Sequence, residues 1–423
     1  MFKLPKLSKE ERSWVLYDIA NSAFILIVIT VLFPILYKEI YLESADADWD
    51  RGSQIFKYLT SGLALTVALL SPVIGAASNY KGRKSKFFKL FLILGLAGGF
   101  ALAIPGLDWL VLLIIFAIAS LGYNLTNVVY DAFLVDVTTA DRMDEISALG
   151  FAMGYIGSMV PFFIGIIPYA LVSLGILHED LGHYAISFAF LVAVVWWLVY
   201  SLPILRDVEQ KREVEGDGSL KEALQRLNQT FRQIRGYKNI FLFMLAYLLY
   251  IDVVNTVIRL AINIGGDLYI DDIILLGVIV VVQLIAFPCA ILFGRLTKVY
   301  GPKKMLYYGI FIYAVTIFVV YSIEPGKEYY MWFVAVLVGT AQGGIQSVSR
   351  SFFVKLIPIE KANDFFGFFS VFGRFGGIIS PFLIAFYQVK IGINSAVLLL
   401  LIPLGLGAIL FAFVKDEKSE LIV

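Results

Sequence analysis

Six charged side chains stand deep inside apolar runs of the sequence: Asp18, Asp131, Asp252, Arg259, Arg350 and Arg374. A charge at the centre of a bilayer costs about 2.5–3.5 kcal/mol on insertion scales, so it is kept where it pairs, meets water or carries function. Spacing sorts these groups onto helix faces. Asn124, Asn127 and Asp131 follow at i, i+3 and i+7, which is one face. Gln342, Gln346, Ser349 and Arg350 share a second face. Asp18, Asn21 and Ser22 share a third, and Asp252, Asn255, Thr256 and Arg259 a fourth. Such sets suit recognition of a small polar solute. A guanidinium holds a carboxylate bidentately, and an aspartate accepts from an ammonium. A carboxylate that alternates between water and a dry site rises in pKa and can carry a proton. Asp18 has amide and hydroxyl neighbours and no base close in sequence, so it is the expected coupling residue. Asp18, Asn21 and Ser22 are equally hard oxygen donors that suit sodium. Two structural readings compete. Asp131 and Arg350 can pair as a gate that opens and closes. Arg374, among Gly373, Gly376 and Gly377, can tie two helices together.

Composition indicates which elements position these residues. The chain has 423 residues, 60% apolar before its 35 glycines are counted and 16% charged. Soluble domains are about 45–50% apolar with glycine included and about 25% charged. A soluble multidomain enzyme is therefore excluded. Apolar runs fall at 14–37, 56–78, 86–104, 109–135, 146–171, 183–205, 239–262, 273–296, 304–323, 331–357, 365–389 and 394–414. Each is close to the roughly 20 residues that span a bilayer. They are continuous rather than alternating, so they are helices and not barrel strands. The fold class is all-α membrane protein with twelve transmembrane helices. Lys and Arg concentrate at 3–12, 81–89, 206–238 and 295–304, which places both termini in the cytoplasm.

Other function classes find little support. A formal net charge of +1 argues against nucleic acid. Cys289 is the single cysteine, which excludes an intramolecular disulfide and argues against a cysteine metal site. His178 and His183 lie five apart in one loop and read as interfacial residues. There is no G-x-x-x-x-G-K-[ST] and no Ser/His/Asp arrangement, so neither ATP nor hydrolytic chemistry is expected. No cofactor or metal is expected. The basic start runs into a spanning segment without a small-residue cleavage site, so it is not read as a cleaved signal. Residues 206–238 form the longest polar stretch. Ser219 and Glu222 make a capping box there, and Leu220, Ala223, Leu224, Leu227, Phe231 and Ile234 make one apolar face. That segment reads as an amphipathic helix on the inner leaflet.

The sequence repeats. Shifted by 219 residues, Gly75-x6-Gly82-x-Lys84 falls on Gly294-x6-Gly301-x-Lys303. Asn127, Asp131 and Asp136 fall on Gln346, Arg350 and Lys355, and Gly154 and Gly157 on Gly373 and Gly376. Shifted by 234, Asp18, Asn21 and Ser22 fall on Asp252, Asn255 and Thr256. The register predicts an N-terminal half at 1–205, a linker at 206–238 and a C-terminal half at 239–423. It also opposes a carboxylate, Asp131, to a guanidinium, Arg350, which suits a ligand that carries both charges.

Two parallel six-helix halves joined by a polar linker resemble the major facilitator superfamily. The two glycine-rich loops resemble that family's loop signature, with Asn79 where an aspartate is usual, Tyr80 where a base is usual, and Lys298 at the acidic position of the second copy. Their glycines would allow tight helix packing. Arg83, Lys84 and Lys303 would hold helix ends by charge. Trp14-Val-Leu-Tyr17-Asp18-Ile-Ala-Asn21-Ser22 and Gly343-Gly344-Ile-Gln346-Ser-Val-Ser349-Arg350 resemble the UMF1 family, bacterial relatives of the vacuolar effluxer Atg22. The resemblance implies that the first, fourth, seventh and tenth helices line a central cavity, with Tyr17, Tyr123, Tyr130 and Tyr155 as further lining candidates. It implies a monomeric secondary transporter of a bacterial inner membrane, coupled to protons or sodium, with amino acids among the expected solutes. An exporter of lipids or amphipathic drugs, and a non-transporting sensor or scaffold acting through the linker, are the alternatives.

Overall fold

The computed structural model describes residues 5–44, 49–139, 141–213, 216, 222, 225, 237–267, 272–323, 329–357, 365, 368, 369, 372, 373 and 379–415. In chain order the long helices are α1 (Lys9–Glu43), α2 (Trp49–Ser78), α3 (Arg83–Leu102), α4 (Trp109–Ala132), α5 (Met143–Ser173), α6 (Gly182–Asp207), α7 (Lys238–Asp267), α8 (Asp272–Tyr300), α9 (Pro302–Tyr321), α10 (Tyr329–Leu356), α11 (Ile379–Ile391) and α12 (Ser395–Ala412). Eleven helices among the described residues are long and apolar enough to span a bilayer. α11 is the described end of the remaining predicted span, 365–389. Most of the linker, its amphipathic helix included, lies outside the described residues, as does Arg374. Arg259 falls on α7, and its side chain is outside them too.

The chain forms two compact units. The first is Met1–Val137 with Met153–Asp217, and the second is Thr138–Ala152 with Gly218–Val423. Helix α5 therefore divides between them at Ala152.

In the first unit α3 packs along α4, and α1 along α6. The α3–α4 contact is made backbone to backbone. A Cβ on Gly122 would stand 2.2 Å from the Gly95 nitrogen, and one on Gly98 2.7 Å from the Ala119 nitrogen. Lipid supplies no hydrophobic drive for helix association, so close van der Waals approach at small residues does the work. Helix α1 begins with a capping box: Ser8 Oγ accepts from Glu11 N–H, and the Glu11 carboxylate accepts from Ser8 N–H. This start at Lys9 puts Asp18 nearly three turns inside the helix, deeper than the apolar run alone suggests. Between Ile25 and Leu32 the helix widens into π-helical turns. Pro34 follows two residues later, and a proline ring clashes with the carbonyl four residues before it in a regular helix. The wider turns relieve that clash.

In the second unit α8 packs on α10, α9 on α10 and α7 on α12. Gly344 admits the Phe293 ring, which a Cβ there would meet at 2.2 Å, and Gly339 admits Ile285. Phe243, Phe352 and Phe411 form an aromatic core between α7, α10 and α12.

The loop repeat has a structural counterpart. Gly82 and Gly301 both take positive φ, 66° and 83°, directly before α3 and α9. A side chain is disfavoured in that backbone region, which explains why both copies place glycine there.

Backbone approach at Gly122 makes a direct prediction. Gly122→Ala forces the α3 and α4 backbones apart and costs about 3 kcal/mol, the upper end of overpacking penalties. Gly405→Ala meets nothing within 4 Å and leaves stability unchanged or slightly raised. Thermal unfolding of the purified protein in detergent compares the two.

Candidate functional site

An aromatic clamp sets the polar residues of the first unit. Trp14 stacks on Tyr130 at 4.7 Å, and Tyr17 lies 4.7 Å from the same ring. Trp14 Nε1–H donates to the Tyr130 carbonyl and Tyr130 O–H donates to the Trp14 carbonyl, both at 3.2 Å. Each indole or phenol is thus locked to the other helix's backbone. Asp18 and Asp131 are the residues that follow Tyr17 and Tyr130, so the clamp sets their height and direction. Tyr17 and Tyr130 are 0% and 2% exposed, which makes them packing residues rather than cavity lining.

Asp18 and Asn21 are buried, and Asn21 Nδ2 donates to Asp18 Oδ1 at 3.5 Å. Ser22 is half-buried against Gly154 of α5, where a Cβ would meet Ser22 Oγ at 2.5 Å and the Asp18 carbonyl at 3.2 Å. The small residue therefore seats α1 at the polar face. Its repeat mate Gly373 lies 3.1 Å, by the same measure, from the Tyr247 hydroxyl of α7. On α4, Asn124, Asn127 and Asp131 are all half-buried, whereas the helix's other sides are packed or bare apolar surface. Asn124 Nδ2 also donates to its own helix, at the Ser120 carbonyl. The spacing rule thus places these three on one face, and the structure leaves that face partly open.

In the second unit Gln342 and Gln346 form a half-buried pair on α10. Ser349 and Arg350 turn inward instead. Ser349 Oγ lies 2.7 Å from the Tyr250 hydroxyl of α7, so it belongs to the α7–α10 contact and not to the glutamine face. Asp252 is fully buried, and its Oδ2 accepts from the Ser380 N–H at 2.7 Å. Thr256 is buried and Asn255 half-buried. Asp252 therefore holds the backbone of α11 at Ser380, a use that its spacing alone does not reveal.

Arg350 is 4% exposed and is held by the start of α5. Its Nε donates to Ser147 Oγ at 2.9 Å and its Nη2 to the Ser147 carbonyl at 3.1 Å, while the guanidinium lies 4.5 Å from the Phe151 ring centre. Ser147 Oγ in turn donates to the Ser347 carbonyl. Two further cations bind the same helix start. Lys355 pairs with Asp144, and Lys298 Nζ lies 2.6 Å from Glu145 Oε2. Gly294 of α8 admits Ala148 at this level. In the turn before α5, a hydrogen bond from Thr139 holds the exposed Asp141 carboxyl below the usual carboxylate range. The importance of Asp144, Glu145 and Ser147 was not evident from sequence spacing. Two acids in the first turn of a helix read as ordinary complements to the helix dipole.

The basic loop residues act on helix ends. Lys84 is fully buried; its Nζ lies 2.5 Å from Asp136 Oδ2 and donates to the Ala132 carbonyl at 3.2 Å. Asp136 Oδ1 also accepts from the Lys211 and Arg212 N–H groups, and Gln210 accepts from the Lys84 N–H. The polar chain after α6 is thereby fastened to the loop. Arg83 lies over the Tyr80 ring at 5.6 Å. Among the described residues Lys303 takes no carboxylate: its Nζ donates to the Ala412 and Val414 carbonyls at the end of α12.

A family profile described as "Vacuole effluxer Atg22 like" matches residues 135–421. The MFS-type transporter YxiO of Bacillus subtilis is 39% identical over 98% of this chain and 97% of its own length. Autophagy-related protein 22 of Eremothecium gossypii is 24% identical over 88% of this chain and 83% of its own. Among solved structures, the human organic anion transporter MFSD10 superposes with a TM-score of 0.69 at 13% identity, covering 95% of this chain and 99% of that one. The proton:xylose symporter XylE does so at 0.68 and 13%, covering 98% and 96%. At these identities the solved structures establish the major facilitator fold.

The buried Lys84–Asp136 pair makes a prediction of its own. Lys84→Met leaves Asp136 buried without its cation and costs about 3–5 kcal/mol. The double variant Lys84→Met/Asp136→Asn recovers part of that loss, because no unpaired charge remains. Denaturation of the two variants against the parent measures the non-additivity.

Proposed function

Because this chain belongs to the Atg22-like family of major facilitator transporters, we propose that it moves a small zwitterionic solute, an amino acid, by alternating access coupled to protons. Residues 1–205 and 239–423 are taken as the two halves of that cycle. The observation that carries the reading is the half-buried stripe Asn124, Asn127 and Asp131 on α4. A polar stripe facing lipid would be expelled and one facing a dry core would be fully paired, so partial exposure along a spanning helix suits a water-filled path. The glutamine pair on α10 supplies amide donors and acceptors of the same kind.

Signs support a zwitterion. Asp131 can accept from a solute ammonium. Arg350, its counterpart in the repeat, can hold a carboxylate once its contacts with Ser147 loosen. Asp18 is the coupling group in this reading. It lies buried beside Asn21, which turns an amide nitrogen toward it. A donor in that place suits a carboxylate that gains and loses a proton better than an oxygen cage for sodium. The ties of Asp144, Glu145 and Ser147 to Lys355, Lys298 and Arg350 hold the start of α5 on α8 and α10, and the cycle requires them to break and re-form. The Lys and Arg distribution supports a bacterial plasma membrane with both termini on its cytoplasmic side. The protein works as a monomer.

Counterflow uptake in proteoliposomes, with a panel of labelled amino acids and an imposed pH gradient, tests the proposal. One amino-acid class accumulates, and Asp18→Asn abolishes its pH-driven accumulation. Asp131→Asn and Arg350→Gln each reduce uptake at least tenfold, consistent with the loss of a charge-assisted contact. Intact transport in all three variants overturns the reading. No uptake of any amino acid by folded protein overturns the solute assignment and leaves amphipathic compounds as the solute class.

A further inference from the structure

A cleft of about 380 Å³ opens on the surface of the first unit where the start of α1 meets the end of α6. Its rim is charged: Lys9, Arg12 and Arg206 surround it, and Asp207 lies among them. Its wall is apolar, made of Leu16, Val199, Leu202 and Pro203. The two surfaces are ordered along the helices. The cations sit at the helix ends, and Val199 and Leu202, 51% and 53% exposed, lie further along α6. Pro203 has no N–H to offer the Val199 carbonyl, so α6 is weakened where the cleft opens.

The rim is built as well as charged. Asp207 Oδ1 lies 2.9 Å from both Lys9 Nζ and Arg206 Nε, and its Oδ2 accepts from Ser13 Oγ at 2.9 Å. The Asp207 side chain is only 7% exposed, whereas those of Lys9 and Arg206 are 69% and 78% exposed. One shielded carboxylate thus orients two cations toward solvent. Arg12 is exposed and makes no ion pair among the described residues. Three cations against one carboxylate leave an excess of two positive charges over an apolar wall.

We propose that this cleft binds an anionic phospholipid, with the phosphate at Arg12 and Arg206 and the upper part of an acyl chain along Leu16, Val199 and Leu202. A planar guanidinium matches phosphate oxygens bidentately, and two of them flank the rim. A soluble anion would use the rim alone and leave the apolar wall uncovered. A zwitterionic lipid would use the wall but cancel its own charge at the rim. The solute pathway does not enter this inference, because the cleft lies outside the polar faces of α1, α4, α7 and α10.

Native mass spectrometry of the full-length protein in detergent tests it, with dioleoyl-phosphatidylglycerol, dioleoyl-phosphatidylcholine and inorganic phosphate as probes. The parent protein retains the glycerol lipid at least tenfold more tightly than the choline lipid. Arg12→Gln and Arg206→Gln each weaken it about fivefold, the value of one basic residue near an anionic surface, and together roughly thirtyfold. Leu202→Trp fills the wall, keeps the charges and weakens lipid retention. Equal retention of the two lipids by the parent protein overturns the proposal. So does an unchanged preference in the double variant, or unchanged retention in Leu202→Trp. Displacement of the lipid by millimolar phosphate overturns it in favour of a soluble-anion site.

Discussion

Lipid gives two helices no hydrophobic reward for meeting, so this fold depends on how closely their backbones can approach. Gly122 with Gly95, and Gly98 with Ala119, are places where that approach is made, and Gly344 lets the Phe293 ring lie against its backbone. The same condition sets the polar faces. Ser22 and Asp18 are seated by Gly154, and Ala148 is seated by Gly294. Side chains at these points would move entire helices, and with them the polar faces they carry.

Polar groups do the remaining work at helix ends. There the last carbonyls and first amides have no partner within the helix. Lys84 and Lys303 show how one motif meets this need in two ways. Lys84 finds Asp136, but the residue matching Asp136 in the second copy is Lys355. A second cation cannot serve as partner, so Lys303 turns to the carbonyls of α12 and Lys355 takes Asp144. A sign change at one repeat position thus redirects two ties. Lys298, which departs from the usual acidic character of its loop position, meets Glu145 by the same logic.

The inward turn of Arg350 leaves the guanidinium between two possible uses. A guanidinium with five N–H donors can be held by Ser147 and still be the strongest carboxylate ligand on its helix. Under the proposed function this one residue joins the state of the α5 start to the binding of solute. Ser349, its neighbour, is committed to Tyr250 and stays with the scaffold.

Much of this was legible in the residues. Twelve apolar runs specify helices because nothing else satisfies a backbone in hydrocarbon, and a period of 3.6 residues then places Asn124, Asn127 and Asp131 together. The repeat located the matched positive-φ glycines Gly82 and Gly301, because a side chain is disfavoured in that backbone. Partners are a different matter. Asp252 with Ser380, Arg350 with Ser147 and Lys355 with Asp144 lie 128, 203 and 211 residues apart. Tyr17 and Tyr130 read equally well as cavity lining until stacking with Trp14 and burial assign them to the core. Periodicity determines which way a side chain leaves its own helix, since that depends on local backbone geometry alone. Which group it then meets depends on where another helix has come to rest, and only the tertiary packing decides that.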